Sequence, residues 1–212
     1  MEDVMRIAII NETSAADRNG DILAALDGRG HEIINAGMNK AGGKPELTYI
    51  HTGLLAALLL NTGRADLIVG GCGTGIGFMN SALQYPAVIC GHVMKPLDAW
   101  LFAQINGGNC ISLQLLYEYG WAGDANLRFI IDALFSVESG GGYPAHRRES
   151  QRESRDLLKG VSRATHRSMA EIVSSLEDRV IKPVLDYPGV MDILDLKSMR
   201  DRELREAIDK RK

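Results

Sequence analysis

The chain has 212 residues, 45% of them hydrophobic and 24% charged, with a formal net charge of -3. That length and composition suit one globular domain with an appendage, large enough to bury a real core. The slight acidity supplies no basic surface for nucleic acid or an anionic membrane, which leaves small molecules or further copies of the chain as partners.

In chain order, Met5-Arg6-Ile7-Ala8-Ile9-Ile10 is an apolar, Ile-rich run closed by the polar Asn11-Glu12-Thr13-Ser14. Asp21 to Leu26 then takes helical spacing before Gly28 and Gly30, so the segment reads as strand, loop, helix. The pattern recurs as strand 31–36, helix 47–61, strand 66–70, short helix 76–83, strand 87–91, helix 96–105, strand 110–113 and helix 122–135. Alternating units of this length predict an α/β fold with a five-stranded parallel sheet, helices on both faces and ligands at the carboxyl ends of the strands. Ser139-Gly140-Gly141-Gly142-Tyr143-Pro144 breaks the pattern. It divides the chain into a domain over 1–144 and a charged, helix-favouring extension over 145–212, which Pro183, Pro188 and Gly189 interrupt. The extension packs either on the domain or on a partner subunit.

The cysteines Cys72, Cys90 and Cys110 are widely spaced and the chain opens with no signal peptide, which points to the reducing cytoplasm. His31, His51, His92, His146 and His166 are scattered, with no spacing that reads as a metal site, so no metal is expected. The longest strongly apolar stretch, Leu54 to Leu60, is far too short to span a bilayer and reads as packing.

The chemistry concentrates in Gly71-Cys72-Gly73-Thr74-Gly75-Ile76-Gly77, directly after the apolar Leu67-Ile68-Val69. Alternating glycines ahead of a helix turn several backbone N–H groups toward one point, forming a cradle for an oxyanion or phosphate. The spacing is neither Gly-x-Gly-x-x-Gly nor a Gly-Lys-Ser/Thr ending, so dinucleotide and nucleotide loops lose ground. Cys72 inside this loop is placed for a lowered pKa, and a thiolate there can take a proton from a carbon beside a carbonyl while the amides hold the enediolate oxygen. An arbitrary cysteine at a strand end is more often a small buried hydrophobe, and the surrounding glycines reverse those odds. A lone histidine such as His92 is more often structural than functional.

This loop and the strand before it resemble the signature of type B ribose-5-phosphate isomerases and galactose-6-phosphate isomerase subunits, and the resemblance covers roughly the first 150 residues. It implies a Rossmann-like three-layer αβα sandwich and a homodimer or homotetramer with sites between subunits. It also implies no cofactor and a sugar-phosphate substrate isomerised through a cis-enediolate. Carried over by position, Cys72 matches the base that moves a proton between C1 and C2, Thr74 matches the hydroxyl beside it, and Gly73, Gly75 and Gly77 match the amide cradle. Glu12 stands where the family has an aspartate and Thr13 where it has a histidine. Tyr49 matches an active-site tyrosine, and Asn106 matches the asparagine of a His-Asn pair. The histidine of that pair, which opens a furanose ring, is here Ile105. After Gly141-Gly142 the pattern Arg-His-x-x-Arg keeps only its second arginine, Arg147, with Arg148 and His146 as further candidates for phosphate. An Asn-Lys pair downstream of the glycine loop becomes Leu83 and Gln84. Loss of the ring-opening acid predicts a substrate presented in open-chain form, such as a tetrose phosphate, unless His92 or His51 supplies the proton. Two other readings stay open: a non-catalytic phosphosugar-binding or regulatory protein of the same fold, and a flavodoxin-like or nucleotide-binding module.

Overall fold

The computed structural model describes residues 4–212. Five strands form one all-parallel sheet: β1 (Arg6–Asn11), β2 (Glu32–Asn35), β3 (Leu67–Cys72), β4 (Cys90–Val93) and β5 (Cys110–Gln114), in the order β2-β1-β3-β5-β4. The connecting helices are α1 (Asn19–Leu26), α2 (Tyr49–Asn61), α3 (Ile76–Ala82), α4 (Pro96–Leu101) and α5 (Gly123–Phe135). The chain passes from β1 outward to β2 and then back across β1 to β3. The crevice at the carboxyl ends of β1 and β3 is therefore the topological switch point, where open α/β sheets bind their ligands.

Period-two alternation divides the strands between two cores. Ile7, Ile9, Val69, Ile111 and Leu113 pack with Ile22 of α1 and with Leu127, Ile130 and Ile131 of α5. Ala8, Ile10, Ile68, Cys72 and Cys110 face α2 and α3, the latter through Phe78 and Ala82. Burial on both faces explains why these strands read as continuous apolar runs.

Beyond the sheet lie α6 (Arg148–Thr165), α7 (Met169–Ser175), α8 (Asp178–Leu185), α9 (Val190–Leu194) and α10 (Arg202–Asp209). The extension packs on its own chain: Val173, Ile181, Val184, Leu194, Leu204 and Ile208 share one core with Leu54 to Leu59 of α2. All six residues of that α2 run are fully buried. A helix that is apolar all round must be covered all round, and here the sheet covers one side and the C-terminal helices the other. The longer α6 departs from this, burying none of its residues and leaving Leu157, Leu158 and Val161 exposed.

Three expected boundaries move. The segment expected as strand 87–91 becomes β4 at Cys90–Val93, which carries His92 inside a strand. The helix expected over 96–105 is α-helical only to Leu101 and widens into a π turn over Phe102–Asn106. The polar stretch after β1 is a 3-10 helix over Thr13–Arg18 rather than a loop. No helix among the described residues is long and apolar enough to cross a membrane.

Candidate active site

β3 is buried along its whole length and delivers Cys72 at its carboxyl end, facing α2 and α3. The register pairs Ile10 with Gly70 and Asn11 with Gly71, and the backbone stays extended at Glu12, which therefore comes next to Cys72. Neighbouring strands lie about 4.8 Å apart, so a carboxyl and a thiol stand side by side at the switch point. Both are nearly buried. Ser14 Oγ donates to Glu12 Oε1, and the backbone N–H of Thr13 donates to Leu47 O at 2.8 Å.

The loop after Cys72 is held by its carbonyls, and its amides are left over. Cys72 O accepts from Gly75 N at 3.3 Å and Leu115 N at 3.1 Å, and Gly73 O accepts from Leu116 N and Tyr117 N, each at 3.0 Å. His92 Nε2 lies 2.9 Å from Thr74 O, which can only accept, so the proton sits on Nε2. Ser112 Oγ donates to Gly75 O at 2.5 Å. Gly75 heads α3 at φ 77°, and a side chain there would meet His92 Nε2 at 2.6 Å. A Cβ on Gly77 would come within 3.1 Å of the Tyr49 ring, which lies across it. The amides of Ile76, Gly77 and Phe78 open α3 and have no partner inside the helix, so they are available to an oxyanion.

Cys72, Thr74, Gly73, Gly75, Gly77, Glu12, Thr13 and Tyr49 thus belong to one end of the sheet. Asn106 and Arg147 do not. The segment through α4 and the π turn runs from the carboxyl end of β4 back to the amino end of β5, where Asn109 N donates to Ile89 O. Cys110 is level with Ile68 and Gln114 with Cys72, so Asn106 lies beyond a gap of roughly 13 Å along the strands. Ile105 is at the same far end, its carbonyl bound by Arg155 Nη1 at 2.9 Å. Arg147 is exposed with Nε 3.3 Å from Ser150 Oγ, and Arg148 Nε donates to Gly141 O at 2.6 Å. Asn106 lines an open groove of about 830 Å³ between the free edge of β4 and α6, together with Cys90, Leu158 and Val161.

Of the two histidines considered as substitutes for the missing acid, His51 is occupied elsewhere. Its Nδ1 accepts from Thr48 N at 3.0 Å and its Nε2 meets Arg179 O at 3.0 Å, tying the start of α2 to α8. His92 and Ser112 are residues that sequence reasoning left as structural or did not single out, yet they hold the glycine loop. They lie on β4 and β5, and only the strand order brings them beside β3. Among the other thiols, burial pushes Cys110 well up, helped by the hydrogen bond its thiol donates to Cys90. Among the described residues no three His, Cys, Asp or Glu side chains gather as a metal-ligand set.

A family model described as Ribose/Galactose Isomerase matches residues 7–140. A solved 4-deoxy-L-threo-5-hexosulose-uronate ketol-isomerase, complexed with a tartrate, is 34% identical over 98% of this chain and 99% of that one, with a TM-score of 0.91. A structure described as ribose-5-phosphate isomerase from Vibrio parahaemolyticus is 33% identical over 99% and 100% of the two chains, with a TM-score of 0.92. The type B ribose 5-phosphate isomerase of Leishmania infantum, at 16% identity over 77% and 100% and a TM-score of 0.65, shares the fold. No curated protein matches the chain.

Proposed function

The chain belongs to the ribose/galactose isomerase family and is an aldose–ketose isomerase, and from that premise we propose that Cys72 is the base that moves its substrate's proton between C1 and C2. The observation that carries this reading is the position of Cys72, at the topological switch point with Glu12 beside it and the free amides of the first turn of α3 after it. The thiolate takes the proton from C2, the C–H electron pair becomes the C1=C2 bond, and the carbonyl pair moves onto O1 to give a cis-enediolate. Returning the proton to C1 while the O2 proton is passed to O1 turns O1 into a hydroxyl and O2 into the carbonyl, which is the ketose. Thr74 and the loop amides face the oxygen charge, and Glu12 is the acid–base group for the hydroxyl protons.

The substrate is an acidic sugar in open-chain form. The family's own class is a sugar phosphate, bound in a homodimer or larger assembly in which a second copy supplies Asn106 and Arg147, since neither reaches Cys72 within one chain. A second reading replaces the phosphate by a carboxylate. It is favoured by the uronate isomerase that matches nearly the whole chain, C-terminal helices included. A 4-deoxy-5-hexosulose has no hydroxyl at C4 and a carbonyl at C5, so neither position can close a ring onto C1, which suits a site with Ile105 where a ring-opening acid would stand. A base that depends on a free thiol suits the reducing cytoplasm.

The test is proton exchange in deuterium oxide with erythrose 4-phosphate, ribose 5-phosphate and a 4-deoxy-5-hexosulose uronate. We expect exchange at C1 and C2 with at least one of them, and a loss of about 10²–10⁴-fold in Cys72→Ala with the fold intact by circular dichroism. Undiminished exchange in Cys72→Ala would remove the role given to the thiol.

A further inference from the structure

Cys90 and Cys110 open the neighbouring strands β4 and β5, and the register makes them direct partners. Both side chains face the core shared with α2 and α3, where Cys90 packs against the fully buried Cys110. The Cys110 thiol donates a hydrogen bond to Cys90, so the two sulfurs are in contact. Their surroundings differ. Cys110 is sealed in the core, whereas Cys90 is half-buried and lines the open groove of about 830 Å³ between β4 and α6. A small molecule in the groove therefore meets Cys90 first and Cys110 only through it. Partners on neighbouring strands lie about 4.8 Å apart, inside the range of roughly 4.4–6.8 Å between Cα atoms that a disulfide spans. Level Cβ atoms stand at about the strand spacing, against about 3.8 Å in a disulfide, so closing the bond draws the strands together by roughly an ångström. β4 is the strand that gives, because it spans only Cys90–Val93 at the sheet edge and is bonded to β5 alone. His92 follows two residues later on the same strand, with Nε2 2.9 Å from Thr74 O. A displacement of that size parts such a bond.

From this arrangement we infer that Cys90 and Cys110 form a peroxide-sensitive dithiol, whose disulfide pulls β4 and His92 away from the glycine loop and lowers turnover. The thiol chemistry is independent of Cys72, and the effect on turnover rests on the reading of Cys72 as the isomerase base. The Cys90 sulfur, giving up its proton, attacks one oxygen of hydrogen peroxide. The O–O bond breaks and the leaving hydroxide takes the proton as water, which leaves a sulfenic acid on Cys90. The Cys110 sulfur then attacks that of Cys90, the S–O bond breaks, and the hydroxide departs with the Cys110 proton as a second water. Each sulfur has given one electron, and the peroxide is reduced to two waters. A disulfide closed against the strand spacing is strained, and strain makes it easily reduced, so the change is reversible by an ordinary dithiol.

The first experiment treats the full-length Cys72→Ala chain with hydrogen peroxide, so that only Cys90 and Cys110 can react among the cysteines, and reads intact mass and a peptide map. Each chain should lose two hydrogens, with the Cys90 and Cys110 peptides joined, and dithiothreitol should restore the starting mass. A second substitution, Cys90→Ser, should abolish the loss. Oxygen added to Cys90 without a cross-link, an unreacted Cys90, or a disulfide between copies would each overturn the dithiol. The second experiment compares kcat in wild type and Cys90→Ser after equal peroxide treatment, the variant subtracting whatever oxidation of Cys72 itself contributes. Wild type should lose about tenfold more, chiefly in kcat, and recover with dithiothreitol, because a loop displaced by an ångström loses transition-state contacts. Equal losses, with the cross-link formed, would overturn the link between the thiol pair and the site. Absence of turnover in untreated wild type would overturn the isomerase reading and the effect on turnover with it, while the mass measurement would still decide the dithiol.

Discussion

A thiol at the end of an apolar strand is ordinarily one more small hydrophobe, and Cys110, packed in the core against Cys90, fits that description. Cys72 differs in what surrounds it, and much of that support comes from His92. The imidazole fixes Thr74 through its carbonyl, and with it the direction of the loop amides. Replacing His92 by leucine should lower kcat about 10–100-fold with little change in KM, because a loop misplaced by an ångström loses transition-state contacts before it loses binding. His92→Gln, which keeps an N–H donor, should recover most of the loss. Equal kcat in wild type and His92→Leu would mean that the bond to Thr74 is incidental. The sequence makes Cys72 and its glycines legible because their spacing is local. It leaves His92 ambiguous, since a hydrogen bond between β4 and the loop after β3 depends on a strand order that no short window contains.

At the scale of elements, the βα alternation is readable from apolar runs and glycine breaks, and the strands fall close to where periodicity places them. The exceptions are physical. β4 is a short edge strand whose burial is partial, so its apolar signal starts at Ala87, ahead of the ladder itself. The π turn over Phe102–Asn106 leaves no trace in the apolar pattern because Phe102 and Ala103 are buried as they would be in an α-helix. The α2 run could be identified as packing, but what covers its second side could not, because the covering helices lie more than a hundred residues away in sequence. If α8 belongs to the same cooperative core as α2, Ile181→Ala should cost roughly 2–5 kcal/mol of global stability. Urea denaturation should then give one transition at a lower midpoint by both fluorescence and circular dichroism. Two separate transitions, with only the first displaced, would instead mark the C-terminal helices as an independently melting unit.

For the whole molecule, the family resemblance brings Asn106 and Arg147 into one pattern with Cys72, while the sheet puts Asn106 at the opposite end and Arg147 stands on an exposed turn beyond the last strand. A motif match records which residues a site uses and says nothing about which copy of the chain provides them. If the site is shared between copies, a Cys72→Ala chain and an Arg147→Ala chain should complement each other. In a randomly exchanged one-to-one mixture half the dimers are mixed, and each mixed dimer holds one intact site. The mixture should therefore recover about a quarter of the wild-type sites, well above either variant alone. Activity no greater than the average of the two separate variants, after exchange verified by tagged subunits, would place every working residue on one chain.

The double covering of α2 also has a consequence during synthesis. Its inner face can dock on β1 and β3 early, but its outer face waits for Val184, Leu194 and Ile208, which leave the ribosome last. At ordinary translation rates that wait is roughly ten seconds, during which a run of leucines stands bare on an otherwise assembled domain. A stop between the glycine-rich break at Gly140 and α8 is expected to leave the glycine loop complete and the outer face of α2 uncovered, which should lower the soluble fraction on expression. The last fifth of the chain is thus a cover for the α2 leucines, and nascent chains stalled before α8 are where a cell's chaperones should be found engaged.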